Sequence, residues 1–184
     1  ISDKIQKVKS NSIIYKFPIF ATLKFWISMA KWQERAELLF KAEGLNNLKN
    51  ANVLVVGLGG VGSFAAEFLA RAGVGNMTIV DGDVVDITNI NRQLPALHST
   101  IGKSKVEVVA DRLLDINPKL ELVKINEFLS PEKMEEVIDS QEFNYILDCI
   151  DSVTPKVTLL LMAKRRKIKI VSCMGAGGKI NPAK

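Results

Sequence analysis

The sequence is poor in the residues that build cross-links and metal clusters. Among 184 residues there are two cysteines, Cys149 and Cys173, and one histidine, His98. Neither a disulfide scaffold nor a four-cysteine or histidine-rich zinc site can form within the chain. Cysteine use this sparse fits a reducing compartment, and the expected location is cytoplasmic. Long apolar runs are also missing. The best candidate, residues 13–27, is broken by Lys16, Pro18 and Lys24, and a membrane span needs roughly 20 apolar residues. Internal repeats and low-complexity segments are absent. So is a one-signed surface. The net charge is +5, but residues 1–28 hold five lysines against Asp3, which leaves the rest nearly neutral. The basic balance is therefore weak support for nucleic-acid binding, and DNA is not expected as a partner.

What is present reads as one globular domain with a short head. Residues 1–28 differ in composition from the rest and read as an extension without a folded role, with a membrane-surface anchor as the alternative. Met29 reads as a natural start, and residues 29–184 as the domain. Apolar spacing over residues 30–42, with Ala36, Leu39 and Phe40 on one face, predicts a first helix. Asn52–Val56 is a β-branched apolar run that stops at Gly57. Further strands are expected at Met77–Val80, Leu120–Ile125, Tyr145–Ile150 and Ile168–Ser172. Helices are expected over 63–72, from a Ser104–Glu107 capping box to Ile116, from Ser130-Pro131 to Ser140, and from Thr154-Pro155 to Arg166. Fully apolar strands alternating with helices specify an α/β fold, a Rossmann-like doubly wound and mainly parallel sheet with helices on both faces. The chain stops soon after the last strand, so the C-terminal part of such a fold is expected to be missing.

Gly57, Gly59 and Gly62 satisfy G-x-G-x-x-G between a strand and a helix. The first allows a tight turn, the second lets a phosphate approach the backbone, and the third lets the helix pack closely. Asp81 ends the next strand, where a carboxylate can accept ribose hydroxyls. The pattern marks a nucleotide site but does not choose between NAD and ATP. The long connection after Asp81 carries Asp83, Asn89, Arg92 and Gln93 and leads to Lys105. Cations there suit a triphosphate being cleaved, because charge builds on the transferred phosphoryl and its leaving group. The plainer readings are a surface ion pair for Arg92 and a solvated first-turn lysine for Lys105. Asp148-Cys-Ile-Asp151 places two acids at the carboxyl edge of the sheet, where Asp151 could hold Mg²⁺ or cap a helix.

These pieces, with Arg35-Ala-Glu-Leu-Leu, Thr88-Asn89-Ile-Asn91-Arg92-Gln93 and Ile116-Asn117-Pro118, resemble the ubiquitin-activating-enzyme-like superfamily of ThiF/MoeB/HesA-type carboxylate adenylators. Asn91 to His98, Asp151 to Lys156 and Met174 to Pro182 resemble its tRNA threonylcarbamoyladenosine dehydratase branch. Ser152 and Lys156 stand where the thiamin and molybdopterin adenylators usually carry Asn and Arg. The resemblance implies that Gly57, Gly59, Gly60 and Gly62 cradle the phosphates of ATP and that Asp81 holds the ribose. It implies that Asn89, Arg92 and Lys105 stabilise the reacting phosphate and that Asp151 organises Mg²⁺. It further implies a homodimer in which Arg35 reaches the partner's ATP, a tRNA carrying threonylcarbamoyladenosine as substrate, and room for a sulfur-relay protein partner. Lys164-Arg165-Arg166-Lys167 with Lys169 could touch the tRNA backbone or stabilise a helix C-terminus. Cys149 and Cys173 read as inert strand cysteines rather than catalytic thiols. The alternatives are activation of a sulfur-carrier protein, an NAD-binding oxidoreductase, and a non-catalytic module.

Overall fold

In the computed structural model, the described residues are 6–8 and 32–174. The proposed start at Met29 and the stretch from Gly175 to Pro182 lie outside them. Strand β1 (Gln6–Val8) is followed by helix α1 (Glu34–Asn50), β2 (Asn52–Val56), α2 (Gly62–Ala72) and β3 (Asn76–Val80). A 3₁₀ turn at Ile87–Asn89 precedes α3 (Lys105–Ile116), β4 (Glu121–Ile125), α4 (Pro131–Asp139), β5 (Tyr145–Asp148), α5 (Val153–Arg165) and β6 (Lys169–Ser172).

The strands form one sheet in the order β1-β4-β3-β2-β5-β6. The five from β2 to β6 are parallel, and β1 adds to β4 as an antiparallel edge, Lys7 opposite Val123. Strand order runs outward in both directions from β2. The crevice between β2 and β5 is therefore a topological switch point, where open α/β sheets bind ligands. Asn-Val-Leu-Val-Val in β2 can be apolar on both faces because helices cover both. Val53 and Val55 join Ala66, Ala70, Val109 and Leu113 in one core under α2 and α3. Leu54 and Val56 join Met134, Ile138 and Leu159 in a second core under α4 and α5.

The expected strands and the helices from α2 onward hold to within a few residues, but the first helix runs on to Asn50 rather than ending near residue 42. Gln6–Val8, in the head expected to have no folded role, joins the sheet as an edge strand because β4 leaves its outer edge open to pairing. The capping details differ. Ser130 accepts the Lys133 N–H as expected, but α5 begins after Ser152, and Thr154 lies inside its first turn. Ser104 accepts the Glu107 N–H at 3.4 Å, while the Glu107 carboxylate reaches Lys124 and leaves the box half formed. A reciprocal box instead stabilises the 3₁₀ turn, between Asp86 and Asn89. The first helix also departs from its expected packing. It buries no residue, Leu38, Leu39 and Phe40 stay exposed, and Lys41 breaks it with φ 61° and ψ 174°.

Candidate functional site

The carboxyl ends of β2, β3 and β5 open into a cleft of about 560 Å³. Its floor is the glycine turn. Gly57 has φ 92°, and a Cβ there would lie 2.7 Å from the Cys149 carbonyl oxygen. Gly62 opens α2 so close to the turn that a Cβ would fall 1.8 Å from the Gly57 carbonyl oxygen. Any side chain at either position would force β2, β5 and α2 apart. Val61 offers the start of α2 no capping side chain, so the bare helix end can present N–H groups and positive dipole to an anion. Gly59 and Gly60 face the crossover, beside Gln93 and Arg92.

Asp81 already works within the protein. One oxygen accepts the Leu58 N–H at 2.6 Å and the other the Asp83 N–H at 2.8 Å. It thus ties the glycine turn to the start of the crossover and lines the cleft beside them. Lys105 is not a solvated lysine. Its side chain is 6% exposed and its Nζ lies 2.8 Å from Asp83, whose carboxylate is about half exposed. Arg92 is exposed, and its Nη1 donates to the Thr88 carbonyl at 3.1 Å and to Asn91 Oδ1 at 2.9 Å. It has no carboxylate partner among the described residues. Asn89 spends its carbonyl oxygen on the Asp86 N–H. Gln93 Oε1 is buried without a hydrogen-bond partner. All five, with Asp81, line the same cleft.

Asp151 stands exposed at the rim, where its Oδ1 accepts a long hydrogen bond from Ser152 Oγ at 3.4 Å. Among the described residues no three His, Cys, Asp or Glu side chains gather as a metal cage. One free carboxylate facing a phosphate-sized space does fit Mg²⁺, which keeps water and is commonly held by one or two carboxylates plus substrate phosphates. Arg35 does not line the cleft. It is exposed on α1, next to the Gln33 side chain that donates to the Ala72 carbonyl at the far end of α2.

Sequence reasoning named Asp148 and Lys156 but did not pair them. Asp148 is fully buried, and one of its oxygens accepts from Lys156 Nζ at 2.6 Å and from Ser172 Oγ at 2.5 Å. Lys156 also donates to the Cys173 carbonyl at 3.0 Å. This group pins the start of α5 to the exits of β5 and β6 and so fixes the rim that carries Asp151. The available signal was an acid at an inward position of an apolar strand, which burial permits only with a partner. Cys149 and Cys173 also line the cleft. Burial, then the neighbouring Cys173, pushes the Cys149 thiol up to about 12. In the basic run, Arg166 is engaged by Glu135 and Asp139 of α4, which leaves Lys164, Arg165 and Lys167 exposed. A broader depression of about 950 Å³ lies at the opposite, amino edge of the strands. It has neither glycine turn nor uncapped helix start, so the smaller cleft is the candidate site.

Known proteins resemble this chain in sequence and in fold. The tRNA threonylcarbamoyladenosine dehydratase of Bacillus subtilis is 46% identical over 150 residues, 82% of this chain and 59% of its own. The Escherichia coli molybdopterin-synthase adenylyltransferase is 38% identical over 133 residues, 72% of this chain and 53% of its own. The crystal structure of E. coli tRNA N6-threonylcarbamoyladenosine dehydratase in complex with ATP superposes with a TM-score of 0.78 at 41% identity, covering 83% of this chain and 63% of that one. The chain thus spans a little over half the length of the curated relatives it matches. The ThiF family profile runs over residues 33–182, from the first helix through every residue of the cleft, and the chain belongs to the ThiF family.

Proposed function

We propose that this chain is the ATP-binding, adenylating part of a tRNA threonylcarbamoyladenosine dehydratase. The observation that carries the reading is the pairing of a bare glycine turn with Arg92 and Lys105 across one cleft. A dinucleotide dehydrogenase needs no cations beside its pyrophosphate. A nucleotide losing pyrophosphate gains from each of them. The glycine turn and the α2 N-terminus take the phosphates, and Asp81 takes the ribose with its remaining lone pairs. Arg92, already aimed by the Thr88 carbonyl, follows the charge that builds on the leaving pyrophosphate. Lys105 exchanges Asp83 for a phosphate oxygen. Asp151, together with the phosphates, would hold Mg²⁺, which would supply further charge neutralisation.

The substrate carboxylate, that of the threonylcarbamoyl group on a tRNA adenosine, attacks the α-phosphorus. Pyrophosphate leaves and an acyl-adenylate forms. Ring closure then expels AMP, for a net loss of one water. Activation is needed because an unactivated carboxylate has no adequate leaving group for an intramolecular nucleophile. Exposed Lys164, Arg165, Lys167 and Lys169 lie at the amino edge of the sheet, away from the cleft, and offer a backbone contact for a long nucleic acid. Arg35, absent from its own cleft, acts on the partner's ATP in a homodimer, and the reaction is cytoplasmic. Of the head, Gln6–Val8 adds an edge strand to β4 of the adenylating unit.

The test is isotope exchange between pyrophosphate and ATP. Exchange that needs tRNA bearing threonylcarbamoyladenosine supports the reading. Exchange driven instead by a small sulfur-carrier protein establishes the second reading, which the molybdopterin-synthase relative favours and which Ser152 and Lys156 disfavour. NAD binding without ATP binding overturns both.

A further inference from the structure

Cys149 and Cys173 have no part in the reaction above, yet their placement is specific. The parallel register of β5 and β6 sets Asp148 opposite Ser172, so the next residues out, Cys149 and Cys173, emerge side by side at the carboxyl edge. The Cys173 N–H donates to the Asp148 carbonyl at 2.9 Å, which carries the pairing up to the cysteines themselves. Neighbouring strands lie about 4.8 Å apart, inside the window of about 4.4–6.8 Å in which two Cα atoms can be bridged by a disulfide. Both thiols are free, both are partly buried, and both line the nucleotide cleft. Cys149 lies under the glycine turn, its Cβ 3.0 Å from where a Gly62 Cβ would be. Cys173 is held from the other side by Lys156 on its carbonyl.

We propose that Cys149 and Cys173 form a reversible intrachain disulfide, made by hydrogen peroxide that enters through the nucleotide cleft, and that ATP in the cleft shields the pair. The Cys173 sulfur, as thiolate, attacks a peroxide oxygen, the O–O bond breaks, and a hydroxide leaves. The resulting S–OH sulfur is attacked by the Cys149 sulfur, which gives up its proton as the S–S bond forms and a second hydroxide leaves. The two thiol protons turn both hydroxides into water, so two thiols are oxidised and one peroxide is reduced. A dithiol reverses the step by exchange. The access route of the peroxide is the solvent opening that the phosphates would occupy, and this second part rests on the ATP reading above.

The test uses the whole chain with hydrogen peroxide as the probe, followed by intact mass and thiol titration under non-reducing conditions. The expected result is loss of both thiols and of about 2 Da, two hydrogens, restored by dithiothreitol. Cys149→Ser and Cys173→Ser should each fail to show it, and saturating ATP should slow it several-fold. Unreacted thiols, or a bond joining two chains, would overturn the proposal. If calorimetry shows ATP bound and oxidation keeps its rate, the shielding is wrong. If calorimetry shows no ATP binding, the nucleotide reading fails while the bond itself stands or falls on its mass.

Discussion

At the scale of single residues, the cleft separates side chains that build it from side chains that act in it. Gly62 builds it. A methyl group 1.8 Å from the Gly57 carbonyl oxygen cannot be absorbed by a flexible side chain, because the obstacle is backbone. Gly62→Ala should cost at least the roughly 1–3 kcal/mol of an overpacked site, read as a lower melting temperature. Arg92 and Lys105 line it, and the proposed reaction draws on both. Arg92→Ala and Lys105→Ala should each lower pyrophosphate exchange on the order of 10²-fold, by analogy with the loss of one transition-state donor. Their melting temperatures should stay near that of the wild type, since Arg92 is exposed and Asp83 left behind by Lys105 is half in water. Exchange at the wild-type rate in either variant would remove that residue from the assigned role. The glycines and cations were legible in the sequence because each lies on a local turn or helix start with its own spacing. The partners of Asp81 and Lys105 were not, since both depend on how the crossover folds back.

At the scale of elements, two polar clusters hold helices in place, and neither has a local pattern. Lys156 ties α5 to β5 and β6 across 8 and 16 residues of chain. Breaking a buried pair by removing one partner leaves a buried charge, so Lys156→Met should cost about 3–5 kcal/mol. Chemical denaturation would measure it, and a loss under 1 kcal/mol would mean that Asp148 finds water. Glu67 on α2 bonds Arg112 on α3 as well as Arg71 on its own helix. The hydrogen bond from Arg112, opposed by burial and aided by Arg71, holds its carboxyl below the usual range. A depressed folded value means stability that is present above the unfolded value near about 4.3 and that fades as pH falls through the folded one. Glu67→Gln should therefore lower stability by about 1.5–3 kcal/mol at neutral pH, with the gap closing in acid. An equal gap at pH 7 and pH 3 would contradict it. Strands such as Asn52–Val56 could be read directly because burial on both faces leaves an unbroken apolar run. The adjacency of Cys149 and Cys173 could not, because register is a property of two strands.

At the scale of the whole molecule, apolar side chains on the first two helices stand out. Among the described residues, Leu38, Leu39 and Phe40 on α1 and Phe64 and Phe68 on α2 are exposed, and apolar side chains gathered on one side of a protein mark an interaction site. If that side joins two copies, Leu39→Glu combined with Phe68→Glu should shift sedimentation from dimer to monomer and remove exchange activity with it, because Arg35 then loses its partner's cleft. A dimer that survives both changes would place the contact elsewhere. The backbone at Lys41 gives this side its shape. A lysine there occupies a conformation that only glycine takes without strain, at a cost of order 1–3 kcal/mol. The first helix is accordingly a sprung elbow, anchored before the joint by Gln33 on the Ala72 carbonyl. Relaxing the joint with Lys41→Gly should make the chain harder to melt, and an unchanged melting temperature would mean that the elbow holds no tension.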